Sequence, residues 1–391
     1  MVSWEYPPVV EGGLARHVRK LAEQLARDGH ELQVLTRGDG SLAAVEQRHG
    51  VLVRRVREPH LPREDLDAFI AWVGRMNADM LAAGGELGER VELVHSHDWL
   101  VAAAARALAE RAGVPWLVTV HATEYGRHQG WVDKHPQSHI HAVERAMAQG
   151  ADRVIACSHF MRGQVVDVLG APRERVAVIP NGIDPADLQP LADLPRLRAR
   201  FAAPDERLVL LVGRLVYEKG FHLALDALAG LICRDPKLRF VVAGSGTAEA
   251  ELKAQAERLG LLAHGAFVGW TGDELLHSLY RIADLCLVPS LYEPFGLVAL
   301  EAMACGCPTI VADTGGLREV VPAGGRVGLR FRARSVRSLQ LMAQRLLRDD
   351  ALRARLVAEA SEHVLRFDWA DVARQTAAVY EQLRTGSPST A

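Results

Sequence analysis

The stretch Ser290-Leu-Tyr-Glu293-Pro-Phe-Gly-Leu-Val-Ala-Leu-Glu301 decides how the fold of this chain is interpreted. An apolar run, Leu285–Val288, comes just before it and predicts a buried strand. Apolar residues with helical spacing follow at Leu297, Leu300, Met303 and Ala304. The predicted order is therefore a strand, a loop that carries Glu293 and a helix that carries Glu301. In an open parallel α/β sheet, such a loop lies at the carboxyl end of a strand, where ligands bind.

The two glutamates of this stretch first suggest a glycosidase. The carboxyl groups of a glycosidase pair stand roughly 5–9.5 Å apart. Glu293 and Glu301 are eight positions apart, and eight helical residues span about 12 Å. Although Glu293 precedes the helix, this spacing favours two carboxylates that hold different parts of one elongated ligand. The competing interpretation is a pair of solvated charges at the start of a helix.

Length and composition limit the possible classes of protein. A chain of 391 residues predicts two domains of ordinary size. The apolar fraction of 49% and the charged fraction of 24% are typical of a soluble globular protein. The net charge of −2 gives no global attraction to nucleic acid, so no nucleic-acid partner is expected.

Nothing in the sequence predicts insertion into a membrane or export. No segment approaches the roughly 18 apolar residues that a span needs, and no signal-peptide pattern opens the chain. The odd number of cysteines and the lack of CxxC pairs favour reduced thiols, so a cytoplasmic location is expected. The few residues before Glu5 predict a short first strand or a numbering that starts at an internal methionine.

Strand-like runs alternate with helical patterns along the chain, which predicts an α/β fold with doubly wound parallel sheets. The segment 185–204 holds four prolines and no strand pattern, and is the best linker candidate. We therefore predict an N-terminal domain over 1–185, a second domain over 186–366 and a disordered tail over 385–391. The predicted strands are Leu32–Leu35, Leu93–His95, Trp116–Val120, Arg153–Ala156, Val176–Ile179, Leu208–Val212, Phe240–Ala243, Ala266–Val268, Leu285–Val288 and Thr309–Ala312.

Glycine-containing turns follow three of the predicted strands. Gly12 and Gly13 precede a helix, where backbone N–H groups favour an anion, although a simple tight turn would look the same. Arg214 and Lys219 share one strand-end loop and could clamp a diphosphate; the alternative is a pair of solvated cations. Gly244 repeats the strand-to-glycine arrangement and could receive a nucleoside.

Histidines end two predicted strands of the first domain. His121 would lie at a strand tip, where it could bind a ligand or make an ordinary structural hydrogen bond. His95, His97 and Asp98 end another strand. They could suggest a metal, but residues at a strand end usually diverge where the strand becomes a loop, so no metal site is expected.

Several of these motifs together resemble a known enzyme family. The chain is similar over nearly its whole length to the retaining GT-B glycosyltransferases of family 4, and most of all to glycogen synthase-like members. His121-Ala-Thr-Glu with Tyr125-Gly-Arg-His is similar to actinobacterial α-1,4-glucosyltransferases. The motifs that carry the resemblance, in chain order, are Glu11-Gly12-Gly13, His97-Asp98-Trp99, His121-Ala-Thr-Glu, Pro180-Asn-Gly-Ile-Asp184, Gly213-Arg214 with Lys219-Gly220, and Glu293-Pro-Phe-Gly with Glu301.

The resemblance implies two Rossmann-like domains that face a cleft, with a helix over 367–384 that crosses back to the N-terminal domain. It implies a nucleotide-sugar donor, a glucan or oligosaccharide acceptor, and no cofactor or metal. The implied catalytic residues are Glu293, His121, Arg214 and Lys219. The implied donor-binding residues are Gly12, Gly13, Arg214, Lys219, Gly244, Phe295, Gly296, Leu297 and Glu301, and the acceptor-binding ones are Asp98, Tyr125, Arg127 and Trp131.

Within the implied site, Arg214 and Lys219 hold the diphosphate and Glu301 binds the ribose hydroxyls. Glu293 orients the donor sugar. No side chain is placed as a nucleophile, so the resemblance favours attack on the same face with retention of the α configuration. Fixed cations stabilise the leaving diphosphate as its charge grows.

One position departs from the family pattern and bears on the donor. ADP-glucose-dependent bacterial glycogen synthases carry a lysine near the first glycine pair, where this chain has Glu11. A carboxylate that faced phosphates would weaken binding, so we expect Glu11 to turn away. This difference favours UDP-glucose over ADP-glucose.

Other functions stay open at this stage. Within the class they are a mannosyltransferase or an ADP-glucose-dependent maltosyl phosphate or glycogen synthase. From other classes they are a sugar-nucleotide epimerase and a non-catalytic nucleotide-sugar binder. Membrane contact is not expected, because the basic helix face has too few exposed aromatic residues to press into lipid. That face comprises Arg16, Arg19, Lys20 and Arg27.

Overall fold

The computed structural model describes residues 1–61, 65–86 and 91–386. The chain divides into two compact units. Unit 1 comprises Met1–Gly182 and Trp369–Ala391, and unit 2 comprises Ile183–Asp368. The first division falls three residues before Pro185, and the second falls two residues after position 366.

Unit 1 contains a three-stranded and a four-stranded sheet, with the orders β1-β3-β2 and β4-β5-β6-β7. Val2 forms parallel bridges to Leu35 of one sheet and Ser96 of the other. The strands are β1 (Leu32–Gly38), β2 (Val45–Arg48), β3 (Val51–Arg57), β4 (Val94–His97), β5 (Trp116–Val120), β6 (Arg153–Ala156) and β7 (Val176–Val178). The helices are α1 (Gly13–Arg27), α2 (Leu66–Ala83), α3 (Ala102–Ala112), α4 (Glu124–Arg127), α5 (Gln137–Gly150) and α6 (His159–Gly163).

Unit 2 is a doubly wound α/β unit with a six-stranded parallel sheet in the order β10-β9-β8-β11-β12-β13. Its strands are β8 (Arg207–Val212), β9 (Leu238–Ala243), β10 (Gly265–Gly269), β11 (Leu285–Val288), β12 (Thr309–Ala312) and β13 (Leu329–Phe331). Its helices are α7 (Leu194–Ala199), α8 (Phe221–Ile232), α9 (Glu249–Arg258), α10 (Asp273–Ile282), α11 (Leu297–Ala304), α12 (Leu317–Val320), α13 (Val336–Arg348) and α14 (Asp350–His363).

The last helix, α15 (Trp369–Thr385), packs in the core of unit 1. Its Trp369, Val372 and Ala373 are buried in one cluster with Val18 and Leu21 of α1. A Cβ on Gly182 would stand 2.5 Å from the Trp369 ring, so this glycine admits the indole. The predicted disordered tail, 385–391, overlaps the end of this helix at Thr385, and its residues 387–391 lie outside the described residues.

The predicted α/β class is confirmed, and every predicted strand is present with ends within three residues of the prediction. The prediction of purely parallel sheets is wrong at β2 and β3, which form an antiparallel pair in unit 1 that the strand list omitted. Both strands carry charged residues that disguise the pattern. The guanidinium of Arg55 in β3 is buried because Glu46 of β2 pairs with it at 2.8 Å. The third omitted strand, β13, is only three residues long.

Throughout the described part of the chain, no helix is both long enough and apolar enough to cross a membrane.

Candidate active site

In unit 2, the loop after β8 carries the two predicted cations. Arg214 follows the strand, and Lys219 ends a short 3₁₀ turn, Tyr217–Lys219. Gly220 comes next with a φ of +68°, and a Cβ there would stand 2.2 Å from the carbonyl oxygen of Pro289. Only glycine satisfies both conditions. This close approach holds Lys219 against the loop that follows β11.

The ammonium group of Lys219 lies 2.8 Å from Oε2 of Glu293. The hydroxyl of Ser290 donates to the same oxygen at 3.1 Å. Both charged side chains are largely buried, with 20% of Lys219 and 10% of Glu293 exposed. The sequence assigned these residues to different parts of the donor, and the structure joins them in one ion pair.

Arg214 lies on the same loop as Lys219 but is more exposed. Its side chain is 56% exposed, and its guanidinium lies 3.7 Å from the carboxylate of Glu218. Backbone bonds from Leu291 and Tyr292 to the carbonyl of Glu218 tie this loop to the one that carries Glu293. The loop therefore carries one cation that is largely exposed and one that is largely buried.

The remaining predicted donor residues surround the same strand ends. Gly244 has a φ of +140°, and a Cβ there would stand 1.9 Å from the carbonyl oxygen of Gly213, so a side chain cannot be accommodated. Phe295 is buried and packs edge-on against Phe367, with ring centroids 5.9 Å apart. Gly296 and Leu297 begin α11, as predicted.

Glu301 lies on α11 and is oriented by a residue that the sequence analysis missed. The buried hydroxyl of Tyr280 donates to Oε2 of Glu301 at 3.0 Å. Burial, together with the neighbouring Glu301 carboxylate, raises the pKa of Tyr280 well above its ordinary value. Tyr280 therefore remains a neutral donor and fixes one oxygen of Glu301.

In unit 1, the predicted anion site at the start of α1 already holds a carboxylate. The backbone N–H groups of Glu11 and Gly12 both donate to Oε2 of Glu5, and Gly13 is the first residue of the helix. Burial raises the pKa of Glu5 to about 7. A phosphate that used the Gly12 amide would have to displace Glu5, which the sequence analysis did not consider.

The side chain of Glu11 pairs with that of Arg37. Its Oε1 forms an ion pair with the buried guanidinium of Arg37, which also binds Glu58 at 2.9 Å. The Glu11 carboxylate is thus paired with a cation, while the expectation that it turns away from a phosphate stays a prediction.

Asp98 and His121 are brought together at the ends of β4 and β5. Oδ1 of Asp98 accepts the backbone N–H of His121 at 2.7 Å. Asp98 has φ +60° and ψ 175°, a region that is nearly restricted to glycine and costs about 1–3 kcal/mol. Burial raises the pKa of Asp98 to about 6, although Arg127 and the His121 amide oppose the shift. A strained, buried carboxylate of this kind is typical of a functional site.

The other predicted acceptor residues lie on or just after α4. Tyr125 and Arg127 are half-buried, whereas the Trp131 side chain is 79% exposed. Among the described contacts, none joins the Trp131 ring to Asp98 or His121. Arg127 faces an acidic group that the sequence analysis missed, since it interacts electrostatically with the buried Glu144 of α5. Both carboxylate oxygens of Glu144 lie within 3.0 Å of the Glu124 backbone nitrogen, which donates to them.

Glu144→Gln should become more stable relative to the parent protein as the pH rises. Burial raises the pKa of Glu144 to about 8, against 4.5 for an exposed glutamate. Between these values the folded state holds a proton that the unfolded state releases, so the parent loses about 1.4 kcal/mol per pH unit. Denaturant unfolding should show the stability difference growing by about 2–3 kcal/mol from about pH 5.5 to about pH 7.5.

The matched control for this prediction is Glu110→Gln, an exposed glutamate on α3. Its stability relative to the parent should change little over the same pH range. A stability difference for Glu144→Gln that does not change with pH would contradict a protonated Glu144 in the folded protein.

Three histidines from three elements meet near Asp98. Nδ1 of His97 lies 3.1 Å from Nε2 of His121, and the His17 ring of α1 has its centroid 4.6 Å from that of His121. From the sequence His17 was given no role, although it lies four residues after the Glu11-Gly12-Gly13 motif. Its position one helical turn after Gly13 was the available signal, because residues four apart share a helix face.

His95, by contrast, is used structurally. Its ring nitrogens lie 2.8 Å from the hydroxyl of Tyr380 and 2.7 Å from that of Thr119. The combination of His95, His97 and Asp98, which the sequence analysis considered for a metal, is therefore not a ligand set.

The structure brings the predicted residues together in two groups, one in each unit. In unit 2, a charged site at the strand ends comprises Lys219, Glu293 and Arg214. Glu301 on α11 is suited to accept hydrogen bonds from hydroxyl groups. The buried Asp98 and the half-buried His121 and Arg127 form a polar site in unit 1. Cations, amides and carboxylates of this kind suit an anionic leaving group and a hydroxyl-rich ligand.

Both units match known family models. Residues 11–187 match the model described as Glycosyltransferase Family 4, and residues 195–363 match the one described as Glycosyl transferases group 1. A protein named glycogen synthase from Mycobacterium tuberculosis is 39% identical over 99% of this chain and 95% of its own length. D-inositol 3-phosphate glycosyltransferase from Frankia alni is 36% identical over 93% of this chain and 92% of its own.

Solved structures of the same fold span the whole chain. Sucrose-phosphate synthase from Thermosynechococcus elongatus superposes with a TM-score of 0.85 and 27% identity, over 99% of both chains. The catalytic domain of starch synthase IV from Arabidopsis thaliana shares the fold with a TM-score of 0.75 and 18% identity, over 98% of both chains. The chain therefore belongs to the family 4 glycosyltransferases with the GT-B fold, and is a hexosyltransferase.

Proposed function

We propose that this enzyme transfers glucose from UDP-glucose to a glucan or oligosaccharide acceptor and forms an α-1,4 linkage with retention. The observation that carries the proposal is the loop after β8, which places Arg214 at the surface and Lys219 against Glu293. A sugar nucleotide presents two charged phosphates beside a hydroxyl-rich sugar. The loop after β8 offers two cations, and one of them, Lys219, pairs with the Glu293 carboxylate of the loop after β11. The 39% identity to a glycogen synthase supports a glucan acceptor.

In the proposed reaction, Arg214 and Lys219 bind the donor diphosphate. Negative charge grows there as the anomeric bond breaks, and fixed cations stabilise it. Glu301 accepts hydrogen bonds from the ribose hydroxyls, and Tyr280 orients its carboxylate. The acceptor hydroxyl attacks from the face that the diphosphate leaves, and the departing phosphate takes its proton.

His121 and Asp98 are proposed to line the site of the transferred sugar. Burial lowers the pKa of His121 to about 3, so its imidazole is neutral near pH 7 and binds a hydroxyl without adding charge. The Asp98 carboxylate accepts a hydrogen bond from the His121 backbone N–H and so holds that backbone in place. Tyr125, Arg127 and Trp131 are proposed to contact the acceptor, for which the exposed indole of Trp131 offers a surface.

The choice of donor nucleotide depends on the residues around the glycine pair. Solved proteins of this fold hold UDP-glucose in one case and ADP in another, so the fold does not select the base. The neighbourhood of the glycine pair has Glu11 and lacks the lysine of ADP-glucose-dependent synthases, and Arg37 holds Glu11 in an ion pair. This difference supports UDP-glucose.

The test is a screen of UDP-glucose, ADP-glucose and GDP-mannose that measures release of the nucleoside diphosphate. Each donor is supplied with maltooligosaccharide, with inositol 3-phosphate and without an acceptor. We expect UDP release that requires maltooligosaccharide, and a product that α-amylase degrades. Turnover with GDP-mannose alone, or only with inositol 3-phosphate, would overturn the proposal. Conversion of the donor without an acceptor would indicate an epimerase, and no turnover a binding protein.

Activity should survive chelation by EDTA. In the proposed mechanism Arg214 and Lys219 neutralise the diphosphate, the task that Mg²⁺ performs in many other enzymes of phosphate chemistry. Initial rates measured with EDTA and with added Mg²⁺ should agree within about twofold, since no step of the proposal uses a metal. Loss of turnover in EDTA that Mg²⁺ restores would show that the two side chains are insufficient.

A further inference from the structure

The three histidines of unit 1 offer a second kind of chemistry. His17 comes from α1, His97 ends β4, and His121 follows β5. One ring nitrogen from each lies within 4.8 Å of the others. His17 and His97 are buried, at 7% and 0% exposed, while His121 is half-buried and gives the cluster its contact with the surface of unit 1.

Two nitrogens of this cluster are buried without a hydrogen-bond partner among the described residues. They are Nδ1 of His17 and Nε2 of His97. Leaving a buried polar atom unsatisfied costs about 1–3 kcal/mol. His95, whose two nitrogens both meet hydroxyls, shows how the same fold satisfies a structural histidine. The unsatisfied Nδ1 of His17 therefore points to a ligand rather than to packing alone. The unsatisfied Nε2 of His97 is the ring nitrogen opposite the one that contacts His121.

The spacing of the cluster suits a small metal ion. Zinc–imidazole bonds are about 2.0–2.1 Å long, so two nitrogens on a tetrahedral ion stand about 3.3 Å apart. Nδ1 of His97 and Nε2 of His121 are 3.1 Å apart and share a hydrogen bond, which an ion between them would replace. The third nitrogen, within 4.8 Å, needs a side-chain adjustment of about 1–2 Å to reach the same ion.

We propose that His17, His97 and His121 form a binding site for one divalent transition-metal ion of the Zn²⁺ class. Three imidazoles suit Zn²⁺, Co²⁺ or Ni²⁺, whereas Mg²⁺ prefers oxygen ligands. Three protein ligands leave a fourth position open. The site lies within unit 1 and shares His121 with the sugar site proposed above, but no step of the proposed transfer uses the ion.

The experiment is a titration of untagged, metal-free full-length protein with Co²⁺, followed by competition with Zn²⁺. We expect one equivalent of Co²⁺ to produce the visible absorption bands of a tetrahedral nitrogen site, and Zn²⁺ to remove them. His17→Asn and His121→Asn, changes on two different elements, should each weaken binding by at least about 100-fold. Thermal melts establish that each variant is folded.

The matched control is His49→Asn, an exposed histidine of unit 1 with a φ of +48° that asparagine tolerates. It should bind Co²⁺ as the parent does. Absence of stoichiometric binding by the parent would overturn the proposal, as would variants that retain the parent's affinity. If a variant fails to fold, zinc-soaked crystals of the parent decide: an anomalous peak among the three imidazoles supports the site, and its absence overturns it.

Discussion

Arg214→Ala should lower kcat by roughly 10²–10³, or about 2.7–4 kcal/mol of transition-state stabilisation. The guanidinium stands at the surface of unit 2, with 56% of the side chain exposed, where it can approach a phosphate. Its attraction to the diphosphate grows as the leaving group gains charge, so kcat should fall more than KM rises. Steady-state kinetics across donor concentrations separate the two effects.

Arg318→Ala provides the control for this prediction. Arg318 is another surface arginine of unit 2, 59% exposed and paired with Asp313. Its removal should leave kcat near the parent value, and thermal melts should show both variants folded. A folded Arg214→Ala enzyme with nearly normal kcat would exclude this arginine from the mechanism.

Lys219→Ala should reduce both the rate and the stability of the enzyme. The rate should fall by roughly 10²–10³, because a second fixed cation is lost from the diphosphate. Stability should fall because Glu293, which is 10% exposed, would keep a buried charge without its ammonium partner. Breaking a buried pair on one side typically costs about 3–5 kcal/mol. Kinetics and denaturant unfolding measure the two losses separately.

The double change Lys219→Met with Glu293→Gln tests the pairing itself. Removing both charges should recover much of the stability that Lys219→Ala loses, while activity stays low. Equal destabilisation in the single and double variants would show that the ion pair does not account for the loss.

Lys219→Arg should recover only part of the rate that Lys219→Ala loses, since a planar guanidinium does not replace a compact ammonium.

The sequence predicted the strands of unit 2 closely, and physical reasons explain this. Buried parallel strands such as Leu285–Val288 and Thr309–Ala312 are continuous apolar runs, which few other structures produce. The antiparallel pair β2 and β3 lacks that pattern. Arg55 of β3 is buried only because Glu46 neutralises it, and a partner on another strand cannot be read from local spacing.

In the candidate site, as in the sheets, local motifs could be predicted from the sequence, whereas contacts between residues far apart in the sequence could not. Motif spacing placed Arg214, Lys219 and Glu301 on the correct loops and helix. It could not show that Lys219 pairs with Glu293, 74 positions away, or that Tyr280 holds Glu301. Glu5 was missed although it lies only six residues from Glu11, because a carboxylate that caps a helix in place of a ligand follows no motif.

The position of α15 in the core of unit 1 has a consequence for biosynthesis. Unit 2 is an insertion within the sequence of unit 1, so the ribosome completes unit 2 before it supplies Trp369 and the rest of α15. At roughly 5–20 residues per second, about 10–40 s pass between Gly182 and Trp369. During this interval the apolar faces of Val18 and Leu21 lack their final covering. Nascent chains are therefore most exposed to chaperones and proteases at this stage, and a premature stop before Trp369 would leave unit 1 permanently uncovered.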